Sequence, residues 1–295
     1  MQTCIIFNPS ARGEKAERFC SRLVQLHPQG VLWRTGAQGD ARTLAARAAS
    51  AGFATVVAAG GDGTANEVLN GIADVPNGLA VVRLGILPLG TVNVFARELG
   101  VPRDVGGAVK TLAAGRERTI DVGRVDFTSG GRPERRYFLQ LAGAGIDSRS
   151  IERVSWTLKK KTGPFAYVAA VLQVLPEKEP LIILEGAGSI SGELVLVGNG
   201  RFYGGSFPVF PSADMRDGLL DVCVFPKISL WSAIHVTAAL LTGRLHRLRT
   251  VRRLQLASLR LSSASRVVFQ LDGENVGELP ATFSVQPRAL RVVVP

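Results

Sequence analysis

The sequence predicts an α/β domain built on an open, mostly parallel sheet, followed by a β-rich second domain. Three observations carry that expectation. Apolar strand-like runs alternate with helix-compatible stretches through the first part of the 295 residues. Several of these runs end in turns that carry Asn, Thr or Gly. After about Arg118 the texture changes to short β-like runs.

Cys4 to Phe7 reads as a first strand that meets the turn Asn8-Pro9-Ser10, and a helix-compatible stretch follows from Glu14 to Leu26. Val31 to Arg34 reads as a strand, Ala41 to Ala51 as an Ala/Arg-rich helix, and Ala54 to Ala59 as a strand buried on both faces. Ala65 to Ile72 is the next helix, Arg83 to Leu87 the next strand, and Val92 to Leu99 a helix after the turn at Pro88 to Gly90. Ligands of such sheets sit beyond the carboxyl ends of the strands. Asn8, Thr35, Gly60 and Thr91 share that rim.

The second region offers strands at Thr119 to Val125, Tyr137 to Ala142, Leu181 to Leu184, Glu193 to Gly198 and Leu220 to Phe225. Helical stretches interrupt them at Ile151 to Leu175 and Leu230 to Leu241, and strands return at Ser265 to Leu271 and Leu290 to Val294. The expected domains are 1–118 and 119–295, with the last strand a candidate to return to the first.

Composition narrows the function classes. With 46% hydrophobic and 20% charged residues the chain can bury a sizeable core. The net charge of +11 calls for an anionic partner: nucleic acid, an acidic lipid surface or nucleotide phosphates. No groove-binding or RNA-stacking motif accompanies the basic stretches, so nucleic acid is not expected. Cys4, Cys20 and Cys223 are odd in number and form no C-x-x-C pair, which suits a reducing, cytoplasmic compartment. The chain start reads as a strand rather than a signal peptide. The apolar segments around Phe165 to Leu175 and Leu230 to Leu241 fall short of the roughly 20 residues a spanning helix needs, so membrane contact is expected to be peripheral. His27, His235 and His246 are scattered and fit no metal-ligand spacing.

The strongest chemical signal is Gly60-Gly61-Asp62-Gly63-Thr64, between a buried strand and the helix that begins Ala65-Asn66-Glu67. Glycines let the backbone approach a phosphate closely, and the helix start offers free N–H groups at the positive end of its dipole. Asp62 could orient a metal ion or the transferring phosphate. A tight turn with Asp62 and Thr64 as caps explains the same residues without a ligand. A second segment, Leu87-Pro88-Leu89-Gly90-Thr91-Val92-Asn93, repeats the strand-to-turn pattern and by itself is also a good turn and cap sequence.

These segments, in this order, resemble the diacylglycerol kinase catalytic-domain superfamily, which includes bacterial diacylglycerol kinases, YegS-like lipid kinases and the sphingosine and ceramide kinases. The resemblance spans nearly the whole chain. It takes in Asn8 to Gly13, Gly60 to Gly71, Leu87 to Arg97, Ala142 to Asp147, Val197 to Gly200 with Gly204-Gly205, Pro211 to Leu219 and Leu271 to Glu274.

The resemblance implies a first domain of the NAD kinase/phosphofructokinase-like type and a β-sandwich-like second domain. It implies ATP at Asn8, Pro9, Ser10, Ala11, Arg12, Thr35, Gly60, Gly61, Asp62, Gly63, Thr64, Ala65, Asn66, Glu67 and Thr91. It implies a magnesium loop using the Asp217 carboxylate with the carbonyl oxygens of Asp214 and Leu219, a hard-oxygen set that suits that ion. A polar Asp-Gly hairpin turn is the alternative for the same residues. By the same resemblance Glu274 is the general base and Asp272 supports it or the metal network, with Asp62 the third catalytic acid. A positioned nucleotide, charge neutralisation and a proton acceptor suffice for phosphoryl transfer.

One position departs from the pattern: Val94 stands where the family commonly has Asp. The expected activity is an ATP- and magnesium-dependent lipid kinase with diacylglycerol as first candidate acceptor. The alternatives are an NAD kinase-like enzyme and a pseudokinase that binds lipid or nucleotide. The expected partners are a lipid alcohol and an anionic membrane surface, with a homodimer left open. Arg153 to Lys161, which includes Trp156, and the arginine-rich Gly243 to Leu254 are the stretches that fit membrane attraction. A solvated helix face fits the first equally well, and a packed helix or linker fits the second.

Overall fold

The computed structural model describes residues 2–11, 21, 30–146, 148, 180–185 and 190–295. The chain forms two compact units. Met1–Asp121 with Pro287–Pro295 make the first, and Val122–Gln286 the second.

In the first unit, β1 (Thr3–Phe7), β2 (Gly30–Arg34), β3 (Thr55–Gly60) and β4 (Arg83–Pro88) pair in parallel in the order β2-β1-β3-β4. Central β3 is buried along its whole length. Beyond Thr55 its apolar sequence follows from having both faces covered. The crossovers are helical: α1 (Asp40–Ser50), α2 (Asp62–Ala73), the short α3 (Gly78–Val81), α4 (Val94–Leu99) and α5 (Val105–Ala114). The last strand, β18 (Ala281–Val293), enters this unit at its carboxyl end, where Arg291 and Val292 pair in parallel with Arg83 and Leu84.

Small residues set the contact between α1 and α2. Ala41, Ala45 and Ala48 form the buried face of α1. A Cβ built at Gly71 of α2 would lie 2.1 Å from the Arg42 carbonyl oxygen. On the outside, Arg42 binds Asp74 through two nitrogens at 2.6 and 2.7 Å. Gly71→Ala is therefore expected to force the two helices apart and cost about 1–3 kcal/mol. The loss should appear as a lower urea midpoint at unchanged slope.

The second unit is antiparallel. Among the described residues one sheet runs β14-β13-β10-β7-β16-β17, built from β7 (Leu141–Gly145), β10 (Leu194–Gly198), β13 (Leu220–Phe225), β14 (Arg252–Leu256), β16 (Val268–Leu271) and β17 (Glu274–Glu278). A further set includes the early part of β18 paired with β15 (Ser258–Ser263), then β8 (Ile182–Glu185) and β9 (Ile190–Gly192). β5 (Glu117–Ser129) forms a hairpin with β6 (Arg132–Phe138), and the two-residue strands β11 (Phe202–Tyr203) and β12 (Phe207–Pro208) pair with each other. The core of this unit centres on Phe127, Phe269 and Phe283, whose rings meet edge to face at centroid distances of 5.1 and 5.6 Å. A second apolar cluster joins Leu141, Leu196, Phe210, Phe225 and Leu245 to Ala239 of α6 (Leu230–Leu241).

Three expectations are corrected. The strand expected at Tyr137 to Ala142 breaks at Leu139 and Gln140, because those N–H groups leave the ladder to bind Asp272. The arginine-rich stretch after Gly243 forms neither a helix nor a plain linker throughout: a 3-10 turn at Leu245–Arg247 leads into β14. Helix α5 was not anticipated, since Gly106 and Gly107 lower its propensity; Asp104 caps it, its carboxylate accepting from the Gly107 N–H at 2.8 Å. The helices expected at 14–26 and 151–175 lie largely or wholly outside the described residues.

Candidate active site

In the first unit the loops after β1, β3 and β4 interlock. The Asn8 N–H donates to the Ala59 carbonyl at 3.0 Å, and the Asn8 side-chain amide donates to the Thr64 hydroxyl at 3.0 Å. The other amide atom, Asn8 Oδ1, accepts from the Ser10 N–H and holds the 3-10 turn Pro9–Ala11. A Cβ at Gly60 would lie 2.3 Å from the Thr64 hydroxyl, and one at Gly90 would lie 2.6 Å from the Gly61 Cα. The N–H groups of Leu89 and Gly90 both donate to the Gly60 carbonyl, at 2.8 and 3.2 Å. Glycine is required here because two backbones touch.

Asp62 opens α2, and its carboxylate reaches across to accept from the Phe95 N–H of α4 at 3.1 Å. Val94, the first residue of α4, therefore sits beside a helix start that is already capped by an acid from another loop. Asn93 locks the intervening turn: its side chain accepts from the Gly90 N–H at 2.9 Å and donates to the Gly90 carbonyl at 2.7 Å. Asn93 is buried at a φ of 55°, a conformation Asn tolerates better than most residues. The sequence signal for this role was its position three residues after Gly90.

The Glu67 carboxylate accepts from the N–H groups of Gly39 and Ala41, at 3.1 and 3.0 Å. It therefore caps the start of α1. The Thr35 N–H donates to the Phe7 carbonyl at 3.0 Å. The next two N–H groups, of Gly36 and Ala37, hold the Asp40 carboxyl below its usual range. Gly63 and Asn66 are half-buried, Ala65 is buried beneath the loop, and Thr91 is exposed. Arg12 lies outside the described residues.

In the second unit Asp272 sits at a φ of 48° in the turn between β16 and β17. One of its carboxylate oxygens accepts from the Leu139 N–H at 2.8 Å. The other accepts from the N–H groups of Gln140 and Leu141, at 2.8 and 3.0 Å. The Asp272 N–H donates in return to the Leu141 carbonyl, and Asn199 clamps the same loop by donating to the Leu139 carbonyl at 2.9 Å. Glu274, exposed, is the first residue of β17, two positions beyond this anchored turn. Sequence reasoning named Asp272 but missed the 139–141 cradle, since no local pattern links residues so far apart in the chain.

The Asp214-to-Leu219 loop is a compact turn. The Asp214 carbonyl accepts from the N–H groups of Arg216 and Asp217, at 2.7 and 3.2 Å, and the Asp217 carboxylate accepts from the Leu219 N–H at 2.9 Å. The Asp214 carboxylate is taken by Arg216. Among the described residues no three His, Cys, Asp or Glu side chains cluster for a metal. The expected set differs in kind, since two of its donors are backbone carbonyls. Nearby Asp221 is pushed up to about 6, chiefly by burial and further by the charge of Asp217, against a lowering hydrogen bond from Gln255. A carboxylate and carbonyl oxygens are the hard donors that a divalent cation such as magnesium prefers.

The described cysteines Cys4 and Cys223 are buried, and burial pushes both thiols up to about 12, which disfavours the thiolate. Cys20, Asp147, His27 and the Arg153 to Lys161 stretch lie outside the described residues. No described helix is long and apolar enough to cross a membrane.

Residues 2–125 match the diacylglycerol kinase catalytic domain family, and residues 141–294 match the YegS C-terminal NAD kinase beta sandwich-like domain family. The chain is 31% identical over 299 aligned positions to diacylglycerol kinases of Staphylococcus aureus strains bovine RF122 / ET3-1 and MRSA252. Each alignment covers 99% of this chain and 91% of the relative. Among solved structures, one from Bacillus anthracis str. Sterne superposes with a TM-score of 0.83 at 23% identity, covering 100% of this chain and 95% of the other. A second, a diacylglycerol kinase from the same source, gives 0.71 at 20% identity, covering 100% and 97%. Both share the fold.

Proposed function

The chain belongs to the diacylglycerol kinase catalytic-domain family, and from that membership we propose that it transfers the γ-phosphate of ATP to the hydroxyl of a lipid alcohol, with diacylglycerol as the first acceptor to test. The observation that carries the reading is the Asp272 anchor. Three backbone N–H groups fix the turn, so Glu274 is presented at a defined strand start, as a general base must be.

The interlocked glycine loops of the first unit are the nucleotide-binding part of the proposal. The start of α2 offers backbone N–H groups to the nucleotide phosphates, with the residues from Asn8 to Arg12, Thr35, Gly60 to Glu67 and Thr91 around it. Asp62 orients the transferring group, and Asp272 holds its turn in place. A bound magnesium ion would supply charge neutralisation for the phosphates. The Asp217 carboxylate with the carbonyls of Asp214 and Leu219 would hold the structural ion.

The test is magnesium-dependent transfer of radiolabelled γ-phosphate into a panel of lipid alcohols in mixed micelles, with NAD as a control acceptor. Label in diacylglycerol or a related lipid is the expected result. Label in NAD alone would overturn the reading. Activity that appears only after Val94→Asp would make the natural chain a pseudokinase.

The magnesium assignment makes a separate prediction. At a hundredfold excess over its dissociation constant, a bound ion stabilises the fold by about 2.7 kcal/mol. Thermal melts are therefore expected to rise with magnesium and fall with a chelator in the natural protein, and to respond to neither in Asp217→Asn.

A further inference from the structure

We propose that the outward face of α6, with the arginines that follow it, is a docking surface for an anionic lipid bilayer. Between Leu230 and Leu241 the helix carries no Asp, Glu, Lys or Arg. Helices of that kind are normally enclosed. Here one face is: Val236, Ala239 and Leu240 pack against the cluster of Leu196, Phe210 and Phe225. The opposite face is open, with Trp231 72% and Ile234 47% exposed. Ala238 is exposed as well, and steps of three and four residues put all three on one stripe. A capping box between Ser229 and Ser232 fixes the helix start, so Trp231 projects from ordered backbone.

Charge identifies the occupant. No carboxylate occurs between Asp221 and Asp272, while Lys227 precedes the helix and arginines crowd its end. The Arg244 N–H folds back onto the Ala239 carbonyl at 2.7 Å, which starts the arginine run against the last turn of α6. Arg253 turns inward and donates to the carbonyls of Leu245, Leu248 and Val251. Arg244, Arg247, Arg249 and Arg252 remain exposed.

A tryptophan and an aliphatic side chain on an uncharged helix, followed by a group of cations, match the headgroup region of a bilayer. There the apolar stripe enters the acyl boundary and the guanidinium groups meet lipid phosphates. A second copy of the chain would set two like-charged groups against each other across a twofold. A nucleic acid would satisfy the arginines but leave the apolar stripe in water.

The surface is argued from exposure and charge; the lipid-kinase reading supplies its purpose, and the two can fail separately. The test is sedimentation of the full chain, without ATP, with vesicles of phosphatidylcholine and phosphatidylglycerol in equal parts and with pure phosphatidylcholine. Binding is expected only to the anionic vesicles. The double variants Trp231→Ser with Ile234→Ser, and Arg247→Glu with Arg249→Glu, should each weaken it by roughly tenfold or more. Val81→Ser removes an exposed apolar residue of the first unit and should leave binding unchanged.

Both double variants should keep their thermal midpoints and their transfer rates in detergent micelles. Failure of the natural chain to bind anionic vesicles, or equal binding by the double variants, would overturn the surface. So would a change in the free protein's sedimentation coefficient in the Trp231/Ile234 variant with vesicle binding intact, in favour of a second copy. Normal vesicle binding without phosphate transfer would leave the surface standing and remove the kinase reading instead.

Discussion

Glu274→Gln is expected to lower kcat for lipid phosphorylation by roughly 10²–10⁴, the usual contribution of a positioned general base. The amide keeps the shape of the side chain and removes its ability to take the acceptor's proton. Because Glu274 is exposed at the first position of β17, where a side-chain contact contributes about 1 kcal/mol at most, the thermal midpoint should move by no more than a few degrees. In the proposed role the residue acts on the acceptor rather than the nucleotide, so binding of ATP, measured by calorimetry, should also be unchanged. Activity retained within a factor of a few would place the base elsewhere.

Asp272→Ala should produce the larger loss of stability. The substitution deprives the N–H groups of Leu139, Gln140 and Leu141 of their acceptors at once. Leaving a buried donor unsatisfied costs about 1–3 kcal/mol, so a total of several kcal/mol is expected if the loop cannot reach water. The alanine also inherits a left-handed backbone conformation it tolerates poorly. Each kcal/mol corresponds to roughly 2–4 °C in a chain of this size, so the melt should fall by about 10 °C.

Asp272→Asn separates the contributions. Asn accepts the left-handed turn and keeps one acceptor oxygen, and so should retain much of the stability lost in the alanine variant. A normal melt for Asp272→Ala would mean that the cradle is not what holds the turn. Comparison of the two positions also distinguishes their roles: Glu274 should matter chiefly for rate, and Asp272 for rate through the fold.

Much of this protein was legible in its sequence because the signals are local. Alternation of apolar runs with helical stretches follows from burial of a sheet on both faces, and the helix at Leu230–Leu241 is bounded by a Ser cap that can be read directly. The Gly60-to-Thr64 loop announced itself because close approach of backbone demands glycine.

Other roles were decided by tertiary structure. Glu67 of α2 belongs to the segment that the family resemblance assigns to the nucleotide, yet its carboxylate caps a helix that precedes it in the chain. Asp62 looks like a cap for its own helix and instead caps the helix that starts after Asn93. The break between β6 and β7 has no cause in residues 137–142 themselves; it comes from a carboxylate more than a hundred positions away. Likewise, the sequence of α6 carries no Asp, Glu, Lys or Arg to mark an outer face, and only packing left Trp231 and Ile234 facing out.

The division has one physical reason. Hydrophobic periodicity and turn chemistry act between neighbours in the chain, so sequence alone determined the elements and the glycine loop. A buried N–H takes whichever acceptor the fold brings to it, and an apolar face is covered only if another element reaches it, so tertiary structure decided the partners of each carboxylate and which face of a helix stayed open.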